Sequence, residues 1–192
     1  MAMRVNEIAV INCPPEEVWR IVGDPFATAR LIPGATLERE TEKDTFEGVI
    51  KVQFGPREVP INGILSITEW DEDASVIKLS GRGADTRKSS RVLFEMTMRV
   101  EDISTDHPAT RLDMDLEATF TGPLAAIAKT GGQRIAAGLV RRFAERLNAE
   151  GSSPAADETA PAAPVFLTER PSLWARLRAR IARRFKRPAA TG

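Results

Sequence analysis

Few residues in this chain could do acid–base, nucleophilic or metal chemistry, and their settings argue against catalysis. There is one histidine, His107, one cysteine, Cys13, and no tyrosine. His107 stands in Asp106-His107-Pro108, which predicts an exposed hairpin turn and a solvated imidazole. Cys13 precedes Pro14 at the end of a strand-like run and reads as a buried, inert thiol rather than a nucleophile. A lone cysteine also excludes an internal disulfide and a cysteine metal cage. Asp71-Glu72-Asp73 reads as a solvated turn rather than a metal site. Asp113, Asp115 and Glu117 alternate along one strand and share its wet side. An enzyme would need a histidine, a tyrosine or paired carboxylates inside a pocket. The composition therefore favours binding over catalysis.

Charge carries a second chemistry. The chain has 192 residues, with 27 Lys+Arg and 27 Asp+Glu, so its formal charge is zero. The zero hides an asymmetry. Residues 151–192 hold eight basic residues and three acids, and residues 1–150 hold the other 19 and 24. A mildly acidic body is a poor nucleic-acid binder, so polyanion contact falls to the tail.

Between Pro171 and Pro188 there are seven Lys/Arg and no acid. Leu173, Trp174, Leu177, Ile181 and Phe185 recur at helical spacing and share a sector roughly 120° wide, with Arg176, Arg180, Arg183 and Arg187 among the opposing cations. This pattern predicts a basic amphipathic helix over 171–188, lying in the surface of an anionic membrane. A partner-binding helix and a disordered basic tail are the alternatives. Burying each large apolar side chain is worth roughly 1.5–3 kcal/mol, and each cation near an anionic surface about 1 kcal/mol, enough together for reversible attachment. Trp174 and Phe185 lie on the apolar face rather than between the arginines, which disfavours single-stranded nucleic acid. Residues 151–170 are Ala/Pro/Ser/Glu-rich without a period and read as a flexible linker spanning roughly 25 Å.

The body, residues 1–150, must position any site. Residues 4–12 read as a strand. Pro14-Pro15-Glu16-Glu17 opens a helix, Gly23-Asp24-Pro25 breaks it, and Phe26–Leu31 forms a second, stopped by Ile32-Pro33-Gly34. Strands follow over 35–42, 45–54, 59–70, 75–81, 89–101 and 110–121. Several of them alternate apolar and polar, as in Leu112, Met114, Leu116, Ala118 and Phe120 against Arg111, Asp113, Asp115 and Glu117. That period of two means an antiparallel sheet with one covered and one wet face. Leu124–Glu150 reads as a long helix, softened at Gly131-Gly132, with Ile135, Leu139, Phe143 and Leu147 facing the sheet. The expected fold is α+β, a curved antiparallel sheet gripping a long C-terminal helix. Arg82, Arg87, Lys88 and Arg91 read as a basic loop, either plain surface or a docking patch for an acidic partner. The N-terminus shows no signal peptide and no run approaches the roughly 18 apolar residues of a span, which predicts a cytoplasmic protein.

The segment Cys13-Pro-Pro-Glu-Glu-Val-Trp-Arg-Ile-Val-Gly-Asp-Pro-Phe-Ala-Thr-Ala-Arg-Leu-Ile-Pro-Gly34 resembles the carbon monoxide dehydrogenase G-subunit family, a branch of the START/polyketide-cyclase-like (SRPBCC) helix-grip superfamily. Thr45-Phe46-Glu47-Gly48, Lys51-Val52-Gln53-Phe54-Gly55-Pro56, Gly122-Pro-Leu-Ala and Phe143-Ala-Glu-Arg-Leu147 extend the resemblance over residues 4–148. The resemblance implies a non-catalytic accessory factor of a molybdenum-containing hydroxylase such as carbon monoxide dehydrogenase. It implies recruitment of that enzyme to the inner face of the cell membrane, and binding of a prenylated quinone, menaquinone or ubiquinone, with no metal or covalent cofactor. The pocket would lie between sheet and helix, lined by Phe46, Ile50, Val52, Phe54, Ile61, Leu65, Phe94, Met96, Met98, Met114, Leu116, Phe120, Ile135, Leu139 and Phe143, with Phe26, Leu31 and Ile32 at a lid. The same residues are equally the makings of an ordinary core. A cyclase- or hydrolase-like enzyme and a ligand-free membrane tether are the rival readings.

Overall fold

The computed structural model describes residues 1–151 except Lys88; of Arg57 only the backbone is described. The expected order of elements is present. Strand β1 (Ala2–Ile11) leads into α1 (Pro15–Val22) and α2 (Pro25–Leu31). Strands β2 (Ala35–Glu42), β3 (Thr45–Phe54), β4 (Arg57–Asp71), β5 (Val76–Asp85), β6 (Arg91–Asp102) and β7 (Thr110–Thr121) follow. The described residues end with α3 (Pro123–Ile127), a π-helical turn (Ala128–Gly132) and α4 (Gln133–Gly151), one continuous helix of 29 residues.

The strands form one antiparallel sheet in the order β1-β7-β6-β5-β4-β3-β2. The first strand, β1, pairs with the last, β7, with Val5 opposite Leu116 and Ile11 opposite Thr110. The sheet bends over the helix, and a row of glycines permits the bend. Gly48 pairs with Gly63, and Gly63 pairs with Gly83, so three adjacent strands carry no side chain at one level of the covered face. A Cβ on Gly63 would overlap the Arg82 carbonyl oxygen, and one on Gly48 that of Thr36. Glycine is the residue that lets neighbouring backbones approach this closely.

Helix α2 begins where the side chain of Asp24 accepts from the amides of Phe26 (2.9 Å) and Ala27 (3.1 Å), satisfying two orphan donors at a proline-led N-terminus. The long helix is tied to β1 along its length. Gln133 Nε2 donates to the Arg4 carbonyl (3.4 Å), and Asn148 Oδ1 accepts from the Asn12 amide (2.7 Å). Its covered positions Leu124, Ala128, Gly132, Ala136, Val140 and Ala144 recur every four residues. In an α-helix that spacing drifts about 40° per step. The π-helical turn at Ala128–Gly132 takes up part of the drift and keeps both halves facing the sheet.

One expectation is corrected. Residues 81–85 belong to strand β5 rather than to a loop, so Arg82 and Arg91 stand on strands, and of the described basic residues Arg87 alone lies in the β5–β6 turn. Lys88 lies outside the described residues.

Candidate functional site

The residues with catalytic potential are dispersed. His107 is exposed in the β6–β7 loop. Cys13 is buried between β1 and α1, and burial together with the charge of Glu17 pushes its thiol up, keeping it protonated. Among the described residues no three His, Cys, Asp or Glu side chains group to hold a metal. Asp113 and Asp115 lie on the outer face in a network with Asn6, Arg99 and Arg111. A shallow cleft of about 330 Å³ opens there, lined by Ala74, Ser75, Arg99, Val100, Glu101, Arg111 and Asp113. Its cations are matched by Glu101 and Asp113 of the cleft and by the adjoining Asp115, which leaves it no unspent positive charge for a ligand.

The covered face of the sheet is different in kind. Register and burial place the alternate residues of each strand on it, and between the strand ends of β1 and β3–β7 it carries one ionisable side chain, Glu7. Every strand residue expected at a pocket lies on this face. They do not form one core. At the end closed by α1, a first cluster contains Trp19, Ile77, Met98, Leu112, Met114, Val140, Phe143 and Leu147, with Leu31 inside it and Ile32 and Met96 packed against it. Trp19 meets Trp70 with ring centroids 4.9 Å apart. At the end closed by α3, a smaller cluster holds Val52, Ile61 and Leu124, with Ile50, Phe54, Phe120 and Ile135 against it.

Leu65, Phe94, Leu116 and Leu139 belong to neither cluster. All four lie on the covered face of the sheet or on the helix above it, and all four are half-buried. Phe94 rests on Gly81, where a Cβ would overlap its ring. Phe46 is fully buried beneath Phe26, which crosses it edge-on at 5.7 Å and is itself 36% exposed. These four apolar side chains of middling exposure stand among fully buried neighbours, Val5 opposite Leu116, Phe46 opposite Leu65 and Ala118 opposite Phe94, with Phe26 over Phe46 at the surface.

The α3 end is fastened by polar contacts. Ser90 is buried, and its Oγ accepts from the Leu124 amide (3.1 Å). Asp85 accepts from the Ser89 amide and hydroxyl (2.8 and 2.7 Å) and from the Ser90 amide (3.2 Å), which holds its carboxyl below the usual range. Sequence reasoning missed the glycine row, Glu7 and the Phe94–Gly81 contact. Gly48, Gly63, Gly81 and Gly83 within strand patterns were the available signal. Leu173, Trp174, Arg176, Leu177, Arg180, Ile181, Arg183, Phe185 and Arg187 of the expected membrane segment lie outside the described residues. Among the described residues no helix is long and apolar enough to cross a membrane.

Comparison with known proteins agrees with this architecture. No curated protein sequence matches the chain. Among solved structures, a conserved protein from Geobacillus kaustophilus superposes with a TM-score of 0.69 at 21% identity, covering 78% of this chain and 95% of that one. The Zhui aromatase/cyclase from a Streptomyces species gives 0.51 at 14% identity, over 79% and 94%. A truncated norcoclaurine synthase from Thalictrum flavum gives 0.55 at 13%, over 80% and 96%. These likenesses establish the fold. The family model described as polyketide cyclase/dehydrase and lipid transport matches residues 2–151, the whole described body, and the chain belongs to that family.

Proposed function

We propose that this protein carries a quinone-like hydrophobic molecule in its helix-grip interior. In the same proposal it recruits a molybdenum-containing hydroxylase of the carbon monoxide dehydrogenase type to the cytoplasmic membrane, where the quinone accepts electrons. The observation that carries the reading is the half-buried stripe Leu65, Phe94, Leu116 and Leu139 between two packed clusters. A prenylated quinone is almost insoluble in water, so removing one from lipid requires such an apolar enclosure. The methionines Met96, Met98 and Met114 beside the stripe repack easily around a flexible tail. The basic segment 171–188 supplies attachment to the inner membrane face.

Two measurements test this. A ligand bound only by the native state at about 100 times its Kd adds about 2.7 kcal/mol. For a domain of this size that raises Tm by about 5–11 °C. A short-chain ubiquinone or menaquinone should give a rise of this order, and an unmoved Tm across a saturating series refutes carriage. Truncation after Gly151 should abolish pelleting with phosphatidylglycerol vesicles, and undiminished pelleting refutes the anchor.

The second reading is a cyclase- or hydrolase-like enzyme, favoured by Glu7 on the covered face opposite Met114. Turnover of a bound polyketide or ester that disappears in Glu7→Gln would establish it.

A further inference from the structure

The outer face of the sheet shows an imbalance that the interior does not explain. Six of its cations have a carboxylate within 4 Å: Arg4 with Glu117, Arg39 with Glu47, Lys51 with Glu58, Lys78 with Glu69, Arg99 with Asp115, and Arg111 with Glu101 and Asp113. Arg82 and Arg91 on the same face, and Arg87 in the adjoining turn, have none among the described residues, and all three are exposed. Asp85, the acid of that turn, is already engaged by Ser89 and Ser90.

Between the free guanidinium groups lies an apolar residue. Leu93 pairs directly with Arg82, follows Arg91 by two positions along β6, and is 57% exposed. Ile64 is the next residue across the sheet from Arg82. The patch stands at the α3 end of the sheet, over the smaller core cluster, because Val92 of that cluster pairs with Gly83. It opposes the sign of a body that is acidic as a whole.

We propose that Arg82, Arg87, Arg91 and Leu93 form a second membrane contact, which lays the α3 end of the body on an anionic lipid surface. The inference rests on the membrane part of the proposed function and deepens it: the tail tethers, and this patch orients. Besides the serine-bound Asp85, one neighbouring carboxylate has no ion pair among the described residues, Glu95 two positions beyond Leu93; the three cations outnumber both and so complement anionic headgroups. One exposed leucine set among them can enter the headgroup layer, as in peripheral membrane proteins.

The test uses the full chain carrying Leu93→Cys labelled with bimane. Cys13 is buried and its thiol held protonated, so labelling of the native protein falls on position 93. The expected result is a blue shift on phosphatidylglycerol vesicles, quenching by doxyl-labelled lipid, and loss of both in Arg82→Gln/Arg91→Gln. That exposed double variant keeps its fold and weakens vesicle binding by about 25-fold, about five-fold per charge. If the chain pellets while the bimane remains in water, the patch is refuted and the tail alone holds. If the bimane shifts with an acidic polypeptide such as polyglutamate but not with vesicles, the patch serves an acidic protein and the membrane assignment falls. If a full chain with Leu177→Ser and Ile181→Ser still pellets and shifts, the patch stands and the tail anchor fails.

Discussion

Leu112 and Leu116 lie four residues apart on β7 and face the same side, yet Leu112 is 0% exposed and Leu116 is half-buried between the two clusters. Replacing each by phenylalanine separates a hollow interior from a filled one. At Leu112 the extra volume meets the packed cluster of Met114, Val100 and Leu147, and overpacking of this kind costs about 1–3 kcal/mol. For a domain of roughly 150 residues that lowers Tm by about 2–12 °C. At Leu116, which is half-buried and diagonal to Phe94 on β6, a larger ring should gain apolar contact and leave stability unchanged or raise it by up to about 1 kcal/mol. Urea unfolding of lipid-free protein reads the difference. Trp19, buried against Trp70, loses its environment on unfolding. Leu116→Phe should also reduce quinone uptake at undiminished stability. Equal destabilisation at the two positions would refute the argument that the stripe borders free space.

Gly63→Ala should lower stability by more than the usual glycine-to-alanine gain of about 0.4–1 kcal/mol raises it, because its Cβ overlaps the Arg82 carbonyl; chemical denaturation measures the loss. Ser90→Ala removes a buried acceptor from the Leu124 amide and should cost about 1–3 kcal/mol, with faster hydrogen exchange at α3. Cys13 should resist iodoacetamide at pH 8 in the native state and react on denaturation. Its folded pKa is raised, so the stabilisation linked to its thiol is fully present below pH 9 and is lost as pH rises through the folded value. Stability that increases above pH 9 would contradict that sign.

Much of this architecture was legible in the sequence, and the reason is geometric. A period of two along β3 and β7 assigns a face to every side chain, and the proline-led starts of α1 and α2 set helix boundaries within a residue. The sequence pattern ends β5 four residues early because Gly81-Arg82-Gly83-Ala84 lacks β-branched residues, although those glycines are what allow the sheet to bend. On β4 the register shift between Ile67 and Glu69 turns Trp70 inward, which alternation alone would place outside. Parity named the covered residues but could not sort Leu65, Phe94, Leu116 and Leu139 from Met98, Met114 and Phe143. That division depends on the spacing between sheet and helix, set by curvature and by the π-helical turn, and neither has a periodic signature. The unpaired state of Arg82 and Arg91 likewise emerges only when cross-strand neighbours are known.

The most direct measurement is mass spectrometry of the organic extract of full-length protein, purified without detergent from cells that make respiratory quinones. The account predicts a prenylated quinone at near-stoichiometric yield, and its displacement in Leu116→Phe. An extract free of any hydrophobic guest, from protein whose interior also refuses added quinone, would contradict it.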